Sequence, residues 1–134
     1  MFSIEKSVFV LIDLQEKLFQ VMLEKEKLLC NIQILIQTCQ ELQIPIIYTE
    51  QVPIKRGSTI SEIQSFLSDT SKIEKFSFSC CSQKDFNDTL KNTKRRQVVL
   101  AGIETHVCIL QTVLDLLANG YQALYKNTSG YSNT

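Results

Sequence analysis

Apolar and polar residues follow two different patterns along this chain. Val8–Ile12 is a continuous apolar run that ends at a charged residue, Asp13. Runs of this length are typical of strands that are covered on both faces, as in a parallel sheet. Similar runs at Ile44–Thr49 and Gln97–Gly102 predict two further strands, and Tyr121–Tyr125 begins another.

The stretches between these runs carry apolar residues at spacings of three and four, which indicates amphipathic helices. The first stripe contains Leu14, Leu18, Val21, Met22, Leu28, Leu29, Ile32, Leu35, Ile36, Cys39 and Leu42. Charged residues at 24–27 interrupt it, either as an exposed turn of one helix or as a bend between two. The later stripe contains Val107, Leu110, Val113, Leu114 and Leu117, and Asn119-Gly120 ends that helix.

Shorter elements fill the middle of the chain. Pro53 and Gly57 predict a loop over Gln51–Gly57. The segment Thr59–Glu62 has the form of a capping box, which predicts a short helix. We expect Lys75–Ser79 to be extended, and Ser82 can begin another helix.

Strands that alternate with helices predict a doubly wound α/β fold with a parallel sheet. In this fold, right-handed crossovers place helices on both faces, and ligands bind at the carboxyl ends of the strands. A length of 134 residues suits a single domain, and a hydrophobic fraction of 44% suits a globular core.

Composition argues against several classes of function. Fourteen basic and fourteen acidic residues cancel, so the charge balance favours neither a nucleic-acid partner nor a membrane surface. The first apolar run is too short for a signal peptide or a membrane span, which predicts a cytoplasmic protein. The chain has neither G-x-G-x-x-G nor a P-loop, and we expect no cofactor.

The cysteines do not resemble a metal site. Cys30, Cys39, Cys80, Cys81 and Cys108 form an odd set without C-x-x-C spacing. In a reducing compartment they should be free thiols, most of them buried as small apolar residues.

Three ionisable residues are predicted to meet at the carboxyl edge of the sheet, namely Asp13, Lys75 and Cys108. Each has an ordinary structural explanation, because aspartates cap helices, most lysines are solvated, and most helical cysteines belong to the core. In the functional interpretation, Cys108 lies in the first turn of a helix, where its thiol pKa is lowered, and Asp13 is its base.

His106 is the single histidine and lies two residues before Cys108. Side chains at i and i+2 of a helix do not face each other, so a Cys–His dyad is not predicted. We expect His106 at the rim of the site or partly exposed. An activator of Cys108 therefore has to come from elsewhere in the chain.

Four motifs occur in register along the chain, namely V-L-I-D-L-Q at Val10–Gln15, I-P-I-I-Y-T-E-Q at Ile44–Gln51, K-F-S-F-S at Lys75–Ser79 and L-A-G-I-E-T-H-V-C-I at Leu100–Ile109. The run L-D-L-L-A-N-G-Y at Leu114–Tyr121 continues the pattern. In this order and spacing they resemble the isochorismatase-like hydrolases, and most of all the isochorismatase domain-containing proteins. The resemblance extends from about residue 7 to residue 124. It implies a Rossmann-like, three-layer α/β fold with six parallel strands.

The resemblance also implies a Cys–Asp–Lys triad. Cys108 would be the nucleophile, Asp13 the general base, and Lys75 the cation that stabilises the thiolate. The backbone N–H groups of Val107 and Cys108 would form the oxyanion hole. Relatives have a cis peptide at the bond that corresponds to Ile103–Glu104, which costs roughly 3–4 kcal/mol.

Family members of this type hydrolyse small amides through a thioester. Nicotinamidases of the family bind a metal after the second strand, whereas this chain has Thr49-Glu50-Gln51 and no histidine there, so no metal is expected. Relatives form oligomers, which predicts a homo-oligomer. The residues expected to line a substrate pocket are Gln15, Phe19, Gln51, Phe78 and Thr105.

The chain departs from the family pattern after Leu124. We expect one isochorismatase-like domain over residues 1–134 that lacks the final strand and helix of the family. Two alternatives to an active hydrolase stay open. One is an inactive relative that acts as a binding or oligomeric scaffold. The other is a redox sensor that uses Cys108, although no resolving cysteine is evident.

Overall fold

The computed structural model describes residues 1–102 and 106–126, and residues 106–108 as backbone only. Within these residues, five parallel strands form one sheet in the order β3-β2-β1-β4-β5. They are β1 (Ser7–Ile12), β2 (Ile46–Gln51), β3 (Ser71–Lys75), β4 (Gln97–Gly102) and β5 (Gln122–Tyr125). The three-layer, doubly wound α/β fold predicted from the sequence is thus confirmed.

The helices alternate with the strands along the chain. They are α1 (Glu16–Gln20), α2 (Lys25–Glu41), α3 (Pro53–Arg56), α4 (Ser61–Gln64), α5 (Lys84–Asn92) and α6 (His106–Ala118), with 3₁₀ turns at Ile4–Lys6 and Cys80–Ser82. Within the part of the chain that the structure describes, none of these helices has the length and apolar character that a membrane crossing requires.

The central strand β1 divides the core into two layers, because successive side chains of a strand point to opposite faces. Val8, Val10 and Ile12 pack on one face against α5 and α6, with Phe86, Leu90, Ile109 and Leu116 among the buried partners. Phe9 and Leu11 pack on the other face against α2 and α4, with Leu28, Ile32, Ile36 and Ile63 buried there. All six residues of β1 are buried, as its continuous apolar run predicted.

At the end of β4, the backbone lies against that of β1. A Cβ atom on Gly102 would overlap the carbonyl oxygen of Ile12 and lie 3.1 Å from its carbonyl carbon. Only glycine fits this position without a shift of the backbone. Gly102 therefore sets how closely β1 and β4 approach at the carboxyl edge.

The structure decides one open alternative in the first half and corrects two local expectations. The charged residues at 24–27 mark a bend between two helices, because Glu24 adopts a left-handed conformation with φ 52° that separates α1 from α2. Val21 lies in that break and is 76% exposed, although Leu28, Ile32, Ile36 and Cys39 are buried as expected. Thr59 does not cap a helix, since its hydroxyl donates to Glu50 Oε2 at 2.7 Å and α4 begins at Ser61.

Other boundaries also differ from the sequence interpretation. The strand predicted from Lys75 onward ends at Lys75, and helix α5 begins at Lys84 after Gln83, two residues beyond Ser82. In α6, the predicted stripe is wrong in part, because Leu110, Leu114 and Leu117 are exposed while Ile109, Thr112 and Leu116 are buried. This helix is apolar around most of its circumference, so spacing alone does not indicate which face contacts the sheet.

The burial in α6 predicts a contrast between two leucines. Leu116→Ala should lower the free energy of unfolding by about 2–5 kcal/mol, because Leu116 is fully buried. Leu114→Ala, which removes the same atoms from a side chain that is 50% exposed, should cost less than about 1 kcal/mol. Urea denaturation measures both values. Equal losses would show that α6 packs through a different face.

Candidate functional site

An ion pair lies at the carboxyl edge of the sheet. Asp13 directly follows β1, and Lys75 is the last residue of β3. The Nζ atom of Lys75 lies 3.0 Å from Oδ2 of Asp13, and both side chains are fully buried. Because β2 separates β1 from β3 in the sheet, the pair reaches across the end of the intervening strand.

The environment of Asp13 fixes its carboxylate. Its backbone has a positive φ of 53°, and its N–H donates to the carbonyl oxygen of Thr49 at 3.1 Å. The hydroxyl of Thr49 donates to Oδ1 of Asp13 at 2.7 Å, while Oδ2 faces Lys75. Asp13 is not a helix cap, because α1 has Gln15 at that position. These contacts hold the carboxylate of Asp13 at the edge of the sheet.

The ammonium group of Lys75 has three partners. Besides Asp13, it donates to the backbone carbonyls of Phe78 at 2.7 Å and Ser77 at 3.3 Å. A lysine ammonium has three N–H donors, and this arrangement uses all of them. The turn after β3 therefore orients the cation, and Lys75 is not the solvated surface residue that most lysines are.

Thr49 is a polar partner of Asp13 that the sequence analysis did not identify as a site residue. It is buried in β2, where it pairs in register with Ile12 beside Asp13. A hydroxyl that donates to a carboxylate stabilises its charged form. The only available signal was its place in the T-E-Q motif at the end of β2, since the register between two parallel strands is not evident from local sequence.

The backbone of Cys108 lies in the first turn of α6, as predicted. Val107 and Cys108 occupy positions where backbone N–H groups lack a partner within the helix, which is compatible with the proposed oxyanion hole. The side chains of His106 and Cys108 lie outside the described residues. The same holds for the cis peptide expected at Ile103–Glu104 and for the pocket candidate Thr105.

Helix α6 contacts the segment that carries Lys75. Buried Thr112 accepts a hydrogen bond at its Oγ1 from the backbone N–H of Cys80, at 3.1 Å. Cys80 follows the turn whose carbonyls bind Lys75. Burial raises the pKa of the Cys80 thiol to about 12, against the lowering effect of the nearby Lys75 charge. Contacts thus connect α6 to the ion pair through this turn.

The predicted pocket residues occupy different environments. Gln15 is fully buried, and its amide bonds the backbone of Gln51 and the carbonyl of Gly57, at 2.7 to 3.1 Å. Gln51 donates from Nε2 to the carbonyl of Ser77 at 3.2 Å. Phe19 lines a cavity of about 330 Å³ beside Thr59 and Ile60, and the Phe78 side chain is exposed. Gln15 and Gln51 therefore hold the loop that follows β2.

The backbone of this loop is strained at its first residue. Val52 has φ 41°, which is a left-handed conformation that β-branched residues rarely adopt. Its N–H donates to the carbonyl oxygen of Lys75 at 2.9 Å. This hydrogen bond to Lys75 thus helps to hold Val52 in an unfavourable backbone conformation, and such conformations are common near functional sites.

The described residues do not form a metal site. They include no group of three or more histidine, cysteine, aspartate or glutamate side chains that could hold an ion. Glu50, a buried carboxylate near the end of β2, uses Oε2 to accept bonds from the N–H and the hydroxyl of Thr59, both at 2.7 Å. Its function in the structure is to fix the segment before α4.

Three of the described thiols are held in their neutral form. Burial raises the pKa of Cys39 to about 11 and that of Cys80 to about 12. Burial likewise raises the pKa of Cys81 to about 11, with a smaller lowering by its hydrogen bond to Ser79. Cys30 is exposed on α2. At neutral pH, the thiolate forms of Cys39, Cys80 and Cys81 should therefore be scarce.

The ion pair predicts a strong effect of removing one partner. Lys75→Met leaves the Asp13 carboxylate buried without its cation, which should cost about 3–5 kcal/mol of unfolding free energy. The double variant Asp13→Asn/Lys75→Met removes both charges and should recover much of that loss. Urea denaturation followed by circular dichroism measures these values. If Lys75→Met has no folded baseline while the double variant does, the loss of unfolding free energy exceeds the stability of the chain, which agrees with the prediction.

A lysine in an exposed ion pair provides the control. Lys84 lies 2.6 Å from Asp88, and its side chain is 86% exposed. Lys84→Met should therefore leave the free energy of unfolding nearly unchanged. If Lys75→Met were no more destabilising than Lys84→Met, that result would contradict the assignment of the Asp13–Lys75 pair as buried.

Comparison with known proteins places this chain in a family. The profile of the isochorismatase domain matches residues 7–125. Isochorismatase family protein 1A of Dictyostelium discoideum is 34% identical over 119 residues, which cover 86% of this chain and 58% of that protein. Isochorismatase domain-containing protein 2 of Xenopus laevis is 35% identical over 115 residues, with 86% of this chain and 55% of the relative covered.

A solved structure agrees with these sequence matches. The MAR1 ribonuclease from Caenorhabditis elegans superimposes with a TM-score of 0.82 at 33% identity, over 96% of this chain and 69% of that one. The chain spans little more than half the length of the two curated relatives, 58% and 55%. The matching profile, the similarity of sequence and the shared fold show that this chain belongs to the isochorismatase family.

Proposed function

We propose that this chain is a cytosolic hydrolase that uses Cys108 to attack a small amide or a related carbonyl compound, with a thioester intermediate. The observation that carries the proposal is the buried ion pair of Asp13 and Lys75, at the edge of the sheet where α6 begins. The charges of this pair suit the activation of a thiol.

A catalytic role explains the buried ion pair better than a contribution to the stability of the fold does. Transfer of two charges from water into a protein costs several kcal/mol per ion, and well-packed apolar residues often stabilise a fold as well or better. Buried, fully bonded ionisable groups at the carboxyl edge of a parallel sheet are instead typical of functional sites. Thr49 and the carbonyls of Ser77 and Phe78 complete the hydrogen bonding that such a pair requires.

The helical register of α6 supports a role for Cys108. Positions 108 and 112 are one turn apart, so they share a face of the helix. Thr112 on that face contacts Cys80, beside the turn that binds Lys75. A helix N-terminus and a nearby ammonium both lower the pKa of a thiol, and they would favour a nucleophilic thiolate at this position.

The proposed reaction has two steps. In the first, Asp13 takes the proton of the Cys108 thiol, and the sulfur attacks the carbonyl carbon of the substrate. The N–H groups of Val107 and Cys108 stabilise the oxyanion, and the amine leaves with the proton from Asp13. In the second, Asp13 takes a proton from water, and the hydroxide attacks the thioester carbon. The C–S bond breaks, Asp13 returns the proton to the sulfur of Cys108, and the acid product leaves.

The ribonuclease among the similar structures suggests nucleic acid as another substrate. In this chain, the two buried charges of the pair neutralise each other, and the basic residues Lys91, Lys94, Arg95 and Arg96 precede β4 at the opposite edge. A phosphodiester carries a negative charge that this neutral pair does not attract, whereas an amide is neutral. The pair therefore suits a small carbonyl substrate better than a phosphodiester.

Alkylation with iodoacetamide at pH 7.5 tests the activated thiol. Cys108 should react at least about tenfold faster than exposed Cys30, and Cys39, Cys80 and Cys81 should stay unlabelled because their pKa values are raised. Peptide mass spectrometry measures the rate at each cysteine. Turnover of an amide library, followed by release of amine, then tests catalysis.

Matched variants separate the possible outcomes. Cys108→Ser and Asp13→Asn should abolish turnover, while Cys30→Ser should leave it unchanged. Asp13→Asn removes the base but keeps Lys75, so Cys108 should still be alkylated in this variant, and circular dichroism first checks that it folds without the paired charge. Slow alkylation of Cys108 together with no turnover would support the scaffold alternative. Fast alkylation without turnover, and reversible oxidation by peroxide, would support a redox sensor.

We also propose that the chain forms a homo-oligomer. Leu110, Leu114 and Leu117 are exposed at helical spacing on α6, and an apolar stripe of this kind is typical of an interface. Light scattering should give a mass above that of one 15.3 kDa chain. The double variant Leu114→Glu/Leu117→Glu should lower that mass toward a monomer. A monomeric wild-type chain would contradict this assignment.

A further inference from the structure

A second cavity lies at the opposite edge of the sheet, away from Asp13 and Lys75. It has a volume of about 520 Å³ and is lined by Asn87, Lys91, Lys94, Arg95, Arg96, Asn119 and Tyr121. Arg96 precedes β4, whereas Asp13 follows β1, and the two strands run parallel in register. Six residues at about 3.3 Å each separate these edges by roughly 20 Å. The cavity is therefore separate from the candidate active site.

Positive charge is concentrated in this cavity. Four of its lining residues are basic, namely Lys91, Lys94, Arg95 and Arg96, and none is acidic. Among the residues that the structure describes, no carboxylate lies within ion-pair distance of these four. The chain as a whole is neutral, so this concentration is a local property.

Helix ends alone do not account for the charge. The carboxyl ends of α5 and α6 lie beside the cavity, at Asn92 and Ala118, and basic residues stabilise such ends. Each helix end carries about half of a negative charge, so two of them offset roughly one of the four positive charges. The positive charge of the cavity therefore exceeds what the two helix ends offset.

The two arginines are held in place. Nη1 of Arg95 donates to the carbonyl oxygens of Ile4 at 2.7 Å and Ser7 at 3.1 Å. The Arg96 guanidinium lies over the Tyr121 ring, 5.2 Å from its centroid. Lys91 and Lys94 are exposed, on flexible stems. The cavity thus combines oriented guanidinium groups with two lysines that can adjust to a ligand.

We propose that this cavity binds an anion that carries two or more phosphoryl groups. Its volume is within the range of sites for small molecules, about 300–1,000 Å³. Several separate cations suit a ligand with several negative charges better than they suit a single carboxylate, and arginine and lysine are the residues that bind phosphate. The shared chemistry is that of inorganic pyrophosphate and of nucleoside di- and triphosphates.

Titration calorimetry of the full chain with inorganic pyrophosphate at low ionic strength tests the proposal. We expect one site, with an affinity that falls as salt is added. Lys91→Gln/Lys94→Gln should weaken binding roughly tenfold, because two charge contacts are lost. Lys17→Gln/Lys55→Gln removes the same charge from exposed lysines that do not line the cavity, and it should retain the wild-type affinity.

Further outcomes are decisive in either direction. If a nucleoside triphosphate binds more tightly than pyrophosphate, and Lys91→Gln/Lys94→Gln weakens both, the proposal holds and the nucleotide is the better source of the phosphates. Absence of pyrophosphate binding, or equal weakening in both double variants, would overturn it. Binding of a single-stranded oligoribonucleotide without binding of pyrophosphate would replace it with a nucleic-acid surface. The Cys108 alkylation rate should be unchanged in Lys91→Gln/Lys94→Gln, so this test is independent of the proposed hydrolase.

Discussion

The buried ion pair between Asp13 and Lys75 is the interaction on which the carboxyl edge of this sheet depends. It joins β1 to β3, which do not contact each other in the sheet, by reaching across the end of β2. The desolvation of both charges is unfavourable unless other groups complete their hydrogen bonds. Thr49 does so for the carboxylate, and the turn after β3 does so for the ammonium. The pair therefore requires the end of β1, the end of β2 and the turn after β3 to be in place together.

A second set of buried polar contacts holds the loop that surrounds the pair. Gln15 binds the backbone on both sides of α3, and Glu50 binds Thr59 before α4. Below this polar edge, both faces of β1 contact apolar cores. Rigid strands thus position the charges, while bonded loops close the edge around them. This arrangement fixes the positions of Asp13 and Lys75, as the proposed reaction requires.

The sequence predicts the central strands well and the edge of the sheet less well. The continuous apolar runs of β1 and β4 are buried on both faces, which is why their pattern is clear. In β3, Ile73 is the only buried apolar residue, so this strand lacks such a run, and its end at Lys75 was missed. The juxtaposition of Asp13 with Lys75 follows from the parallel topology. The contribution of Thr49 does not, because it depends on the register between β1 and β2.

The outer strand β5 has a consequence for how the protein behaves at high concentration. Among the described residues, β5 pairs only with β4, and its Leu124 and Tyr125 are exposed. A strand edge of this kind offers backbone donors and acceptors to any other extended chain, which favours aggregation during folding. The strand is four residues long and is followed by Lys126, and both features limit such pairing. In the described part of the chain, a short strand and a flanking charge thus limit association through this edge.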